Sequence, residues 1–362
     1  MSNNSKFSKL TLIVDGNWLL MSRMAVLVNK ISNIEDLCNE LELLMVKSIK
    51  LVLRNFPNID NIVFVSDGGS WRKNIDISNI EEALKKLGIA DVVGYKETRV
   101  HSEDIDWEYV FGKFDKFQNI LEQHNITTCR EHHIEGDDWA WYWSTTLNKQ
   151  GTNTLIWTKD NDLKQLVNTD ANGCFTVWWN KENGLFRKAV DENEMNWFFN
   201  NEYSENEQIM NNIIKKSSKV TDINPYDIVI DKIFMGDLGD NVFPLAMRHA
   251  KNPESEKKFR ITKNDIDYSI DIKNDNEIYN YFINLLSKKS YVNRVINNDI
   301  NVIMEHFKFN RQMVWLDKSV YPNEILDEMN SHKLIGISKD IDIVESVLQS
   351  KSNDVENILE SI

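Results

Sequence analysis

Residues 10–16 read Leu10-Thr-Leu-Ile-Val-Asp-Gly16, a nearly continuous apolar run stopped by an acid and a glycine. A run of this length, rich in large apolar residues and without polar alternation, is the pattern of a strand buried on both faces, as the strands of parallel sheets are. Asn61-Ile-Val-Phe-Val65 and Thr154-Leu-Ile-Trp-Thr158 have the same form. Between them Leu37, Leu41, Leu44, Ile49 and Val52, and later Trp107, Val110, Phe114, Phe117 and Leu121, recur at helical period. Strand, helix, strand over the first half predicts an α/β domain built on a mostly parallel, doubly wound sheet. Trp139-Ala-Trp-Tyr-Trp143 could alternate as a strand. Asp137 and Asp138 before it, the spacing of Trp139, Trp143 and Leu147, and Gly151 behind it predict a helix instead, with Trp139 and Trp143 packed on the sheet. Val177-Trp178-Trp179 reads as strand, with one indole in the core and the other exposed.

The chain has 362 residues, and 42 Lys+Arg against 56 Asp+Glu give 42 − 56 = −14. That length predicts two domains, or one large core with an appended unit. Thirteen Gly, 5 Pro and 41% hydrophobic residues exclude a disordered or collagen-like chain. The expected division is an α/β domain over 1–190, a polar boundary or insertion over 191–220 rich in Asn, Glu and Lys, and a largely helical region over 221–362. Cys38, Cys129 and Cys174 are odd in number and lack Cys-x-x-Cys spacing, which speaks against a disulfide framework or zinc site and fits a reducing cytoplasm. The apolar stretch Leu10–Val14 ends at Asp15, too soon for an export signal. Leu37–Phe56 carries Glu40, Glu42, Lys47, Lys50 and Arg54, so no membrane span is expected. Taken alone, the acidity argues against nucleic acid as a partner, since phosphate is gripped by Lys and Arg.

The acids are not scattered, however. Three predicted strands run into aspartates: Asp15, Asp67, and Asp160 with Asp162. Open α/β sheets bind ligands outside the carboxyl ends of their strands, so these side chains are expected on one edge. Glu135, Asp137 and Asp138 open the Trp-rich helix, and Asp237 and Asp240 lie in Gly236-Asp-Leu-Gly-Asp-Asn241. A single aspartate at such a place is most simply an N-cap or turn residue. A group of them is different, because two carboxylates at about 4 Å repel by roughly 4 kcal/mol at an effective dielectric of 20. Such a group calls for bound cations or raised pKa values. Oxygen-only ligands favour Mg2+ or Mn2+ over zinc, and such a cup suits phosphodiester hydrolysis by metal-activated water. Arg72 and Lys73 follow Asp67, and Lys96 and Arg99 follow Tyr95, which offers a stacking surface; the alternative for these cations is a solvated helix face. His132 and His133 with Cys129 could be read as transition-metal ligands, but no second pair has zinc spacing.

Six segments in order, Ile13-Val-Asp-Gly16, Val65-Ser-Asp-Gly68, Tyr95-Lys-x-x-Arg99, Glu135-Gly-Asp-Asp138, Lys159-Asp-Asn-Asp-Leu-Lys-Gln-Leu166 and Gly236-Asp-Leu-Gly-Asp-Asn241, resemble the structure-specific 5′-nuclease superfamily. That superfamily comprises flap endonucleases, the 5′-nuclease domain of bacterial DNA polymerase I and phage 5′ to 3′ exonucleases. Asp106-Trp-Glu-Tyr-Val-Phe111 and Val314-Trp-Leu-Asp-Lys-Ser-Val-Tyr-Pro322 are similar to its phage branch of T-even type ribonucleases H, so the likeness spans most of the chain. The resemblance implies a PIN-like nuclease core and a degenerate helix-hairpin DNA-binding element in the C-terminal region. It implies one cation on Asp15, Asp67, Glu135, Asp137 and Asp160, and a second on Asp162, Asp237 and Asp240, partly through water. Lys96 and Arg99 would then contact the scissile phosphate, with Arg72 assisting. Lys73 and Tyr95 would touch nucleic acid, and Asp138 would support the ligands or join them.

The chain also departs from the family. The stretch Asp76–Asp91 reads as an insertion, Glu97–Asp106 is short for a helical arch that a single strand threads, and Val242-Phe-Pro-Leu-Ala-Met247 lacks the glycine pattern that accompanies a monovalent cation. The expected partners are duplex DNA with a 5′ flap, nick or RNA primer, and a single-stranded-DNA-binding protein or sliding clamp, for a monomer in the cytoplasm with no membrane. The competing readings are a non-catalytic nucleic-acid scaffold on the same fold and a small-substrate phosphatase. Against the latter, Asp15-Gly-Asn17 lacks the second acid two residues on that would donate a proton.

Overall fold

The computed structural model describes residues 10–78, 81, 94–98, 104–169, 173–189, 204–248, 258–288 and 296–360. Two compact units emerge, one of Met1–Gly69, His101–Ile223 and Glu324–Ile362, the other of Ser70–Val100 and Asn224–Asn323. The chain thus enters and leaves each unit more than once, where the sequence suggested consecutive blocks.

The first unit begins β1 (Leu10–Asp15), α1 (Gly16–Leu27), α2 (Ile34–Asn55), β2 (Asn61–Val65), and continues through α3 (Trp107–Gln123), β3 (Thr127–Cys129), α4 (Gly136–Lys149) and β4 (Asn153–Trp157). There follow β5 (Asn168–Thr169), β6 (Phe175–Asn180), β7 (Gly184–Lys188), α5 (Ser204–Lys216) and β8 (Val220–Ile223). The sheet runs β3-β2-β1-β4-β6-β7-β8, with β5 paired to β6. The pairs from β3 through β6 are parallel, β7 is antiparallel to β6, and β8 is parallel to β7. This is the mostly parallel, doubly wound α/β sheet expected from the apolar runs.

Alternation along the strands divides two cores. Leu10, Leu12 and Val14 join Phe64, Leu155, Trp157 and Val177 under Leu41, Val46 and Ile49 of α2 and Phe114 and Phe117 of α3. The other face is covered by α4, which packs on β1, β2 and β4. Trp139 and Trp143 are buried there as predicted, at 0% and 3% exposure. The expectation that one of Trp178 and Trp179 faces solvent is corrected, since both are buried. β6 lies inside the sheet with cover on both sides. Trp179 meets the Phe56 ring edge-on at 4.9 Å, and Trp178 meets Phe186, its register partner on β7, at 5.0 Å. The Lys164 ammonium closes over Trp178 at 4.6 Å.

The second unit holds a short 3₁₀ turn at Trp71–Asn74, α6 (Pro225–Met235), a 3₁₀ turn at Leu238–Asp240, the hairpin of β9 (Ala246–Arg248) and β10 (Lys258–Arg260), α7 (Asp275–Lys288) and α8 (Ile296–Val314). Its core centres on Phe234, whose ring lies 5.9 Å from Phe282 and 5.8 Å from Phe307. The buried Asn310 amide on α8 donates to the Ile233 carbonyl at 2.9 Å and the Phe243 carbonyl at 2.8 Å, tying the end of α6 to the chain beyond the Leu238–Asp240 turn. Finally come α9 (Asn323–Ser331) and α10 (Ile341–Glu360). Ile341, Val344 and Leu348 of α10 enter the core of the first unit, and Lys50 of α2 pairs with Glu345 and, at 2.5 Å, with Asp342. Of the expected boundary segment, residues 191–203 lie outside the described residues, while 204–216 is helix and 220–223 an edge strand that its polar sequence concealed. Among the described residues no helix is long and apolar enough to cross a membrane.

Candidate metal centre

From β1 the chain builds outward through β2 to β3 on one side, and through β4 to β6 on the other. The direction of winding therefore reverses between β1 and β4, and the carboxyl ends of these neighbours frame the crevice where doubly wound sheets bind ligands. Asp15 ends β1 and caps α1, its Oδ1 accepting the Trp18 N–H at 2.9 Å. Its Oδ2 accepts the Thr158 hydroxyl at 2.7 Å from beyond the end of β4. Thr158 Oγ1 accepts the Asp160 N–H at 2.8 Å, Asp160 Oδ1 accepts the Asp162 N–H at 2.8 Å, and the Trp178 indole N–H donates to the Asp160 carbonyl at 2.8 Å. The short loop after β4 is thereby fixed in place.

Burial pushes the Asp15 carboxyl up to about 7; the bonds from Thr158 and Trp18 oppose that, and the neighbouring charges of Asp160 and Asp67 add to it. Asp67 and Asp160 are thus both close enough to repel the charge of Asp15. Asp67 is clamped from two directions. The Asn17 amide donates to Oδ2 at 2.8 Å while its oxygen accepts the Asp67 N–H at 3.1 Å, and the Gly136 N–H donates to Oδ1 at 2.7 Å. Because a Cβ at residue 136 would come within 3.2 Å of that oxygen, glycine suits the close approach.

The Gly136 bond draws the head of α4 to Asp67. Glu135 is the N-cap, 4% exposed, and shares a capping box with Asp138, whose Oδ2 accepts the Glu135 N–H at 3.2 Å. Asp138 is fully buried and serves the helix end. Asp137 sits on the same turn, where the positive end of the helix favours carboxylates.

In the second unit, Lys96, Tyr95 and Asp240 come together. The Lys96 ammonium lies 3.7 Å from Asp240 Oδ2 and 4.9 Å from the Tyr95 ring centre, and the Tyr95 hydroxyl donates to the same oxygen at 3.3 Å. Lys96 adopts φ 57, and its N–H donates to the Asp240 carbonyl at 3.1 Å. Asn241 bonds Gly94 and Thr98 through its side chain, both at 2.8 Å. Asp237 caps the Leu238–Asp240 turn and is paired with Lys232 at 2.6 Å. Burial pulls its carboxyl upward, but the Lys232 ammonium and the Gly239 and Asp240 amides outweigh that and hold it below the usual range. Arg72 is 2% exposed, its guanidinium 4.5 Å from the Trp71 ring centre and 6.0 Å from that of Tyr321, so it does not lie on a solvated face. Lys73 is exposed, and Arg99 lies outside the described residues.

Sequence reasoning overlooked Asn17, Thr158 and Lys232. Asn17 follows Asp15 by two positions on the first turn of α1, and Thr158 is the last polar residue before Asp160, so both were within view of the motifs. Lys232 precedes Asp237 by five positions across a helix end, which no period reports.

No family model and no curated relative matches the chain. Solved structures from bacteriophage T5 are similar to it. A T5 flap endonuclease in a pseudo-enzyme–product complex with DNA and metal ions shares 14% identity, with 93% of this chain and 100% of that one covered and a TM-score of 0.47. A T5 5′-exonuclease with bound zinc shares 14% identity, with 94% and 99% covered and a TM-score of 0.47. A T5 protein co-crystallised with metal ions shares 14% identity, with 93% and 99% covered and a TM-score of 0.44.

Proposed function

We propose that the protein is a divalent-metal-dependent nuclease, a structure-specific 5′ to 3′ exonuclease and flap endonuclease with ribonuclease H activity, which removes RNA primers or 5′ flaps from duplexes during DNA replication. The observation that carries this reading is the meeting of Asp15, Asp67 and Asp160 at the reversal point of the sheet, with Asp15 lifted to about 7. An all-oxygen group in which Asp67 and Asp160 both press on Asp15 fits a divalent cation, which would offset that repulsion.

In this reading Asp15, Asp67, Glu135, Asp137 and Asp160 hold one Mg2+ or Mn2+, and Asp162, Asp237 and Asp240 are assigned to a second. Bound there, such cations would lower the pKa of an attacking water and offset charge on the leaving oxygen. The protein's own groups do the rest. Thr158 and Asn17 aim the carboxylates of Asp15 and Asp67. Glu135 and Asp138 fix the head of α4, and Lys96 with Arg99 offsets charge growing on the phosphate, with Arg72 assisting. Lys73 and Tyr95 are assigned to nucleic-acid contact. Asn17, in the place where a phosphatase of the aspartyl type would carry a proton-donating acid, is an amide bonded to Asp67, which speaks against that chemistry. A 5′-labelled flap duplex and an RNA-primed DNA duplex, incubated with Mg2+ and with excess EDTA, test the proposal. Cleavage that EDTA abolishes supports it, and cleavage indifferent to EDTA or absent from both substrates overturns it.

A further inference from the structure

The loops that follow β2 and β3 are nested into one another. The Gly68 N–H donates to the Ile134 carbonyl at 2.9 Å, and the Gly68 carbonyl accepts the His133 N–H at 3.2 Å and lies 3.2 Å from His132 Nδ1. A Cβ on Gly68 would stand 1.9 Å from the Glu131 carbonyl oxygen, so the nesting requires glycine there. Its product is a pair of exposed imidazoles, His132 and His133, stacked with ring centres 3.7 Å apart and planes 26° from parallel. His133 holds φ 70, a conformation that residues other than glycine seldom adopt.

This pair is not a transition-metal site with Cys129. That thiol is buried, receives the Trp143 indole N–H at 3.0 Å, and is pushed well above the usual thiol range by burial. The pair stands instead on the loop that carries Glu135, which the Gly136 N–H joins to Asp67 on the neighbouring loop, at the carboxyl edge of the parallel strands. Exposed aromatic faces at such an edge suit a flat ligand, and single-stranded nucleic acid is gripped through stacking that tolerates any base.

Resting on the nuclease reading, we infer that the His132–His133 pair is a stacking ledge for the nucleobase beside the scissile phosphate. It selects an unpaired or splayed nucleotide without reading its sequence, as a nuclease that recognises structure requires. The test compares wild type with the double variants H132A/H133A and H132F/H133F. Affinity for a fluorescent 5′-flap DNA is read by anisotropy in Ca2+, KM for its cleavage in Mg2+, and Mn2+ affinity by calorimetry. The alanine pair should weaken DNA binding and raise KM about ten-fold, the scale of losing one base–aromatic stack, while Mn2+ affinity stays at the wild-type value. The phenylalanine pair should stay within about three-fold of wild type, since it keeps the ring faces and loses only the N–H groups. Unchanged DNA affinity in the alanine pair overturns the ledge. So does a parallel fall in Mn2+ affinity, which marks a purely structural loop, or a phenylalanine pair as weak as the alanine pair, which marks hydrogen bonding to phosphate. A wild-type protein that cuts no substrate overturns the nuclease reading, and the anisotropy comparison still decides the ledge.

Discussion

The Thr158 hydroxyl donates to Asp15 Oδ2 at 2.7 Å and accepts the Asp160 N–H at 2.8 Å, so one side chain joins the acids at the ends of two adjacent parallel strands. The first bond can form only where β1 and β4 are neighbours, which is the point at which the winding of the sheet reverses, while the second is local to the loop after β4. Removing the hydroxyl in Thr158→Val deletes a bond that lowers the Asp15 pKa, so that carboxyl should hold its proton still more tightly. Mn2+ affinity at pH 7, measured by calorimetry, should fall about ten-fold, and stability should drop by roughly 1–2 kcal/mol. An unchanged Mn2+ affinity contradicts the role given to Thr158.

The Asp15 shift has a sign that can be checked. Its carboxyl rises from 3.8 to about 7 in the folded protein, so the group favours folding fully below about 4 and loses that contribution as pH climbs toward 7. A metal held by Asp15, as proposed, would have to displace the retained proton. Calorimetry in buffers of different ionisation enthalpy should show close to one proton released per Mn2+ at pH 6 and far less at pH 8. In Asp15→Asn this release should vanish, and a release that persists assigns the proton to another group.

A second pH signature lies beside the sheet edge. The His332 Nδ1 is 2.6 Å from Glu131, and its Nε2 lies 3.2 Å from the Thr128 carbonyl. The hydrogen bond to Glu131 raises the His332 pKa against the pull of burial; burial pulls Glu131 upward, but the His332 bond and charge together with backbone N–H bonds outweigh it and hold that carboxyl low. The His332 contribution is whole below about 6.5 and fades as pH rises through its folded value, while that of Glu131 is whole above about 4.5 and fades as pH falls. The difference in Tm between wild type and His332→Gln should therefore be greatest between about pH 5 and 6.5 and shrink by pH 9. A difference independent of pH would show that the pair is held by packing alone, against Trp139, whose ring centre is 5.0 Å away.

Asn310 offers a test of the second unit. Asn310→Leu removes both amide bonds that join α6 to the chain after the Leu238–Asp240 turn and leaves the Ile233 and Phe243 carbonyls without them. Chemical denaturation should report a loss of about 2–3 kcal/mol, and wild-type stability in the variant contradicts this accounting.

Much of this architecture was legible in the chain because its chemistry is local. Leu10–Val14 and Asn61–Val65 are apolar without alternation, which a strand between two helical layers requires. Asp15, Asp67 and Asp160 could be placed because each comes at or shortly after the end of such a strand. The misreading of Trp178 and Trp179 arose from β7, whose Phe186 covers one indole; Gly184–Lys188 is too short and too polar to announce a strand. The burial of Arg72 was invisible because Tyr321 reaches it from some 250 positions along the chain. Asp138 was legible as an acid at a helix start, while its capping partnership with Glu135 needed the backbone geometry of that start.

The central claim is that the acids at the carboxyl edge of the sheet act by holding metal. Asp67→Asn and Asp160→Asn keep the shape of the side chains that Asn17 and Gly136 hold at Asp67, and the Asp162 N–H holds at Asp160, while removing the charge. Each variant should cut a labelled 5′-flap or RNA-primed duplex at least a hundred-fold more slowly in Mg2+ than the wild type, with Mn2+ binding weakened and DNA binding largely kept. Full cleavage by both variants would contradict the account.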